Sequence, residues 1–94
     1  MLWYCEFTWH PGTTATQVRK RIVEQHDSGS KIREHMKGWY NLAGGGAGFL
    51  LLEVDDPAEL SNMLMPYMDL LAFDVRGIYE LKYDEAIQRF RSAP

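Results

Sequence analysis

GFLLLEVDDPAEL, residues 48–60, carries a strand, a corner and the start of a helix. From Phe49 to Val54 every residue but Glu53 is apolar, the pattern of a strand covered on much of both faces. The run stops at Asp55. Asp56 stands at an N-cap position and Pro57 at the first helical position, where a missing N–H is no loss. Glu59 sits where a capping box needs an acid, near the positive end of the helix dipole. Asp55 and Asp56, with Glu53 close by, could also be read as a metal or base site. Asp56, Pro57 and Glu59 each fill a position that a helix start uses, so the corner reads as punctuation. Glu53 is the exception, because the cap does not need it.

Leu60, Met63 and Leu64 continue at helical spacing, and Pro66 ends that helix. Upstream, KGWYNLAGGGAGFLLLEV reads as a hairpin, with strands over 37–42 and 48–54 and a Gly-rich turn. LWYCEFTWH, residues 2–10, is an aromatic strand closed by Pro11-Gly12. Thr14 and Gln17 form a capping box, and Ala15, Val18, Ile22 and His26 make one helical stripe. On that stripe His26 is expected to be a hydrogen-bonded core histidine. Arg19, Lys20 and Arg21 lie largely off the stripe, towards solvent. Asp27-Ser28-Gly29-Ser30 breaks the helix, and KIREHM is either a helical turn or an irregular connection. LLAFDVRGIYEL, residues 70–81, is the last strand, followed by a helix capped by Asp84 with Ala86, Ile87 and Phe90 on its apolar face. The order is β-α-β-β-α-β with a helical tail. It specifies an α+β, ferredoxin-like single domain over 1–94, with a four-stranded antiparallel sheet.

Composition narrows the function classes. The chain has 94 residues and a formal charge of −3, so no global field attracts nucleic acid or an anionic membrane. A lone cysteine, Cys5, fits a reducing compartment. No signal peptide and no span of ~20 apolar residues is present, so the expectation is a cytoplasmic protein that does not enter a membrane.

The strands raise a question about the sheet face that lacks helices. In the first strand Trp3, Cys5, Phe7 and Trp9 share one face, while Leu2, Tyr4, Glu6, Thr8 and His10 share the other. The second face is mixed, with Tyr, Leu and a few charges, and Leu50 is expected on it. Such a face suits contact with another surface or a lined cavity better than open water. A second copy, packed sheet to sheet, is the simplest cover.

FTWHPG, GGGAGFLLLEVDDPAEL and LAFDVRGIYE, in that order, resemble a short uncharacterised bacterial domain family of the dimeric α/β-barrel superfamily. Its marks are a Pro-Gly after strand one, a Glu-Thr-Asp-Asp-Pro corner and a Phe-(Asp/Glu)-Val strand. Phe7, Val54 and Gly77 depart from the Trp, Thr and Pro that the family commonly carries there. The resemblance implies a homodimer with a central cavity between its sheets. It implies no reaction, since the superfamily includes cofactor-independent monooxygenases, lactone isomerases, haem-binding enzymes and plain ligand binders.

Candidate residues follow from that cavity. Glu6 and His10 share strand parity, and a histidine near a carboxylate can act as a general base. Arg76 has the fork to anchor a carboxylate ligand, although a pair with Glu6 or Asp74 would occupy it. Trp39 could wall the cavity and Glu53 could line it. The expected ligand set is therefore Glu6, His10, Trp39, Glu53 and Arg76, with His10 the one catalytic candidate. The histidines have no compact ligand spacing, so neither a metal nor any other cofactor is expected. AGGGAG, residues 43–48, joins strand to strand without the GK[ST] of a phosphate loop, and a mobile flap is the other reading of it. The third strand lacks the basic lead-in and aromatic pattern of an RNA-recognition module, so nucleic acid is not an expected partner. Two functions remain: a small-molecule-binding homodimer, with isomerase or monooxygenase chemistry as its enzymatic form, or an accessory protein whose barrel is filled by side chains.

Overall fold

A computed structural model describes residues 1–93. Four strands, β1 (Leu2–Trp9), β2 (Met36–Asn41), β3 (Ala47–Glu53) and β4 (Leu71–Ile78), form one antiparallel sheet in the order β2-β3-β1-β4. Helix α1 (Ala15–Asp27) links β1 to a single turn, α2 (Ile32–His35), which runs directly into β2. Helix α3 (Pro57–Leu64) and a 3₁₀ turn at Met65–Tyr67 link β3 to β4, and α4 (Tyr83–Ser92) follows. This is the ferredoxin-like arrangement that the element order predicts.

The local signals act where the sequence puts them. The Thr14 hydroxyl accepts from the Gln17 N–H, and the Gln17 side chain accepts from the Thr14 N–H. Asp56 caps α3 by accepting from the Ala58 N–H at 2.9 Å. Glu59 does not close a box; its carboxylate lies 3.3 Å from Nε2 of His35. The hairpin loop needs left-handed backbone at Gly45 and Gly46, which glycine adopts without a Cβ clash. Two backbone bonds tie the loop to its surroundings: Trp9 donates its N–H to Gly46 C=O, and Leu42 donates to Ala47 C=O.

β1 is central, pairing β3 through Cys5↔Leu50 and β4 through Cys5↔Val75. Directly paired residues share a face. Leu50 and Leu52 therefore join Cys5 and Phe7 beneath the helices, in one buried cluster with Val18, Leu60 and Leu64. Leu50 thus lies on the helix side, and the mixed face carries its neighbour Leu51. In β2 a bulge between Met36 and Gly38 shifts the register, so that Met36 pairs Leu52 and Trp39 pairs Leu50. Met36 and Trp39 consequently share the helix face although they are three positions apart. Trp39 is thus on the opposite face from Glu6, contrary to the expected grouping.

Two further expectations change. His26 is exposed, because the inward stripe of α1 runs through Val18, Ile22 and Gln25 at its last turn. Asp84 is not the cap of α4; Lys82 holds that position, and Asp84 stands in the first turn. α4 also stands away from the body. The radius of gyration is 16.3 Å, against about 12 Å for a compact chain of this length. The long axis is 53 Å, about twice the ~27 Å span of an eight-residue strand. Tyr79, Leu81, Tyr83 and Phe90 are all exposed on this arm.

Gly48 is where the hairpin, β1 and the core come closest. A Cβ there would run into Tyr40 C=O and lie 2.6 Å from Cζ of Phe7. Gly48→Ala is expected to destabilise the protein by roughly 1–3 kcal/mol in urea unfolding. Gly44→Ala, where a Cβ meets nothing within 4 Å, should be close to neutral. Equal effects of the two substitutions would contradict this placement of Gly48.

Candidate functional site

The two faces of the sheet have different chemistry. On the open face Tyr40 stacks on Phe49 at 4.9 Å, and Phe49 meets Tyr4 at 5.0 Å, giving an aromatic row across β2, β3 and β1. Beyond it Tyr4 donates its hydroxyl to Glu6 at 3.3 Å, and Arg76 pairs with Asp74 at 2.7 Å. Glu6 is directly opposite Asp74 and Tyr4 opposite Arg76 in the β1–β4 ladder. This face holds a dent of about 70 Å³, beside Tyr4, Glu6 and Phe49.

The helix face holds a cavity of about 430 Å³, within the range of small-molecule sites. Its floor is the sheet, through Phe7, Trp39, Leu50 and Phe73. Its roof is α1, through Val18 and Ile22, with Ile32 of α2 beside them. The Gly-rich loop and Trp9 form one end. The walls are overwhelmingly apolar, and no Asp or Glu lines them. The sequence concealed this space because the same residues at the same spacing would serve a filled core. Of α1 only Val18 is buried, so the helix roofs the sheet without closing onto it.

α1 is held in this position by a clamp. Arg21 donates to both carboxylate oxygens of Asp69, at 2.6 and 2.9 Å, and to Pro66 C=O. The guanidinium bonds hold the Asp69 carboxyl below its ordinary range, and Asp69 raises Arg21 in return. Tyr67, in the adjacent 3₁₀ turn, lines the cavity, and burial raises its hydroxyl pKa. Cys5, between its ladder partners Leu50 and Val75, is fully buried and its thiol is pushed up to about 11 by desolvation.

The expected ligand set is therefore divided. Glu6 and Arg76 are on the open face, and Arg76 is already occupied by Asp74. Glu53 ends β3 on that same face, bonded to the Met1 amino group at 2.9 Å. His10 follows β1 and its Nε2 lies 3.0 Å from Met68 C=O, an acceptor, so Nε2 carries the proton and donates. Only Trp39 of the five lines the larger cavity. Its indole N–H donates to Oδ1 of Asn41 at 3.2 Å, at the rim. Among the described residues no three His, Cys, Asp or Glu side chains gather as a metal site would require. No helix is long and apolar enough to cross a membrane.

A sequence profile for a domain of unknown function (DUF3303) matches residues 1–91. No curated protein sequence matches the chain. Among solved structures, 5-chloro-2-hydroxyhydroquinone dehydrochlorinase (TftG) from Burkholderia phenoliruptrix AC1100, in complex with 2,5-dihydroxybenzoquinone, superposes with a TM-score of 0.67. The two are 18% identical, and the match covers 88% of this chain and 98% of that one. At that identity the likeness establishes a shared fold.

Two outcomes follow from these side chains. Cys5 is expected to be inert to a disulfide reagent at neutral pH until the protein unfolds; rapid labelling of the native state would contradict its burial. Because Asp69 titrates lower when folded, the clamp stabilises fully above the ordinary carboxylate range and is lost as pH falls through the depressed value. The stability gap between wild type and Asp69→Asn, followed by thermal melts, should shrink on acidification. A gap that stays constant to strongly acid pH would remove the clamp from the account.

Proposed function

The chain belongs to the DUF3303 family, a domain of unknown function, and we propose that it is a small-molecule-binding protein. Its ligand is a compact, largely apolar molecule held between α1 and the sheet. The observation that carries this reading is the cavity of about 430 Å³ with apolar walls, against a dent of about 70 Å³ on the open face. Binding is favoured over catalysis, because no nucleophile with an adjacent base lines the cavity. His10, the one catalytic candidate from sequence, is tied to Met68 C=O instead. The quinone bound by the dehydrochlorinase of the same fold makes a cofactor-free isomerase or related enzyme the catalytic form of this proposal.

The open face takes the other role in this reading, as the surface of a homodimer. Tyr4, Tyr40 and Phe49 already stack on one another there, so two such faces would meet through side chains and leave little central space. Glu6, Asp74 and Arg76 would then be interface residues rather than ligand contacts. Glu53 would lie at the same interface. The exposed apolar side chains of α4 add a second surface short of a partner, since a ten-residue helix is marginal alone in water.

Ile22→Trp fills the cavity from α1 and is expected to weaken binding of an apolar fluorescent probe such as 1-anilinonaphthalene-8-sulfonate about tenfold or more, with the fold retained by circular dichroism. Unchanged probe binding would sink the cavity assignment. Phe49→Asp is expected to convert a dimer to a monomer in native mass spectrometry while probe binding persists. A wild-type monomer would refute the role given to the open face.

A further inference from the structure

Three basic residues in a row, Arg19-Lys20-Arg21, read in the sequence as the solvated side of a helix. In the folded chain they have separate fates. Arg21 clasps Asp69, and Lys20 reaches Glu24 one turn on at 3.8 Å. Arg19 has no carboxylate within 4 Å among the described residues, and it is the one charged side chain that lines the cavity.

The other polar groups there have the same character. The indole N–H of Trp39 can only donate, so the oxygen of Asn41 faces it, and the Asn41 amide nitrogen is left as a donor at the rim. Tyr67 is another wall residue, and its hydroxyl has no hydrogen-bond partner among the described residues. Arg19, Asn41 and Tyr67, each with a hydrogen-bond donor in its side chain, thus line an apolar chamber with no acidic residue in its walls. That is a donor-rich rim around a greasy interior, complementary to a molecule with an apolar body and an anionic head.

We propose that the cavity is selective for amphipathic carboxylic acids, with the hydrocarbon or aromatic body between α1 and the sheet and the carboxylate on Arg19 at the mouth. This rests on the cavity being the binding site, and it adds the chemical class of the ligand. The arginine fork matches a carboxylate in two parallel hydrogen bonds, which a lysine cannot reproduce. Sequence reasoning assigned that chemistry to Arg76; the pair with Asp74 occupies Arg76 and leaves Arg19 to supply it.

The test uses two probes of the same shape, 2-naphthoate and neutral 2-naphthamide, titrated calorimetrically at pH 7 into the full chain. Wild type is expected to bind the acid about tenfold more tightly than the amide, with the preference shrinking as salt is added. Arg19→Gln should erase the preference, and Arg19→Lys should keep part of it. Lys20→Gln, which removes a neighbouring charge directed at Glu24, should leave the preference intact. Equal affinity of wild type for acid and amide, or a preference that survives Arg19→Gln, would overturn the assignment of Arg19. Failure of wild type to bind either probe would overturn the cavity reading itself, and the ligand class with it.

Discussion

Cys5 lies opposite Leu50 at the middle of the β1–β3 ladder, and this register decides what every other part of the molecule can be. A shift by one residue would turn Leu50 and Leu52 out to solvent and bring Phe49, Leu51 and Glu53 under the helices. Glu53 would then enter the core without a partner, at a cost no local contact offsets. Gly48 fixes the register from the other end, because only a residue without a Cβ lets Phe7 and the Tyr40 carbonyl close over it. The helix face, its cavity and the aromatic row of the open face all follow from that pairing.

Much of this was legible in the sequence, because local signals agreed with one another. Thr14 with Gln17, and Asp56 with Pro57, mark helix starts through groups that reach only a few residues away, so spacing alone identifies them. The parity of β1 was equally plain, with Cys5 and Phe7 on one side and Glu6 on the other. Long-range features were hidden. The bulge near Lys37 leaves no mark in composition, yet it decides which face receives Trp39. Arg76 and Arg19 look alike in sequence; what separates them is that Asp74 lies within reach of one. The stand-off of α1 is set by the clamp from Arg21 to Asp69, partners 48 residues apart. A space between apolar residues has the same periodicity as contact between them.

The chain therefore carries two uncovered apolar features with different solutions. The open face is flat, aromatic and edged by ion pairs, which suits a second protein surface of the same kind. The helix face is concave, apolar and bordered by donors, which suits a small molecule. Assigning ligand and partner to opposite faces explains why the expected site residues separate. Grouping Glu6, Glu53 and Arg76 with Trp39 from sequence requires one cavity between sheets to serve both purposes.

Leu50 and Leu51 are adjacent in the chain and lie on opposite faces of the sheet, so they report directly on this division. A methyl-resolved NMR titration with 2-naphthamide would follow both together with Ile22 and Ile32. The account predicts shifts at Leu50, Ile22 and Ile32 that saturate together, with Leu51 unmoved. Saturating shifts at Leu51 and Leu2, with Ile22 silent, would place the ligand on the open face and contradict it.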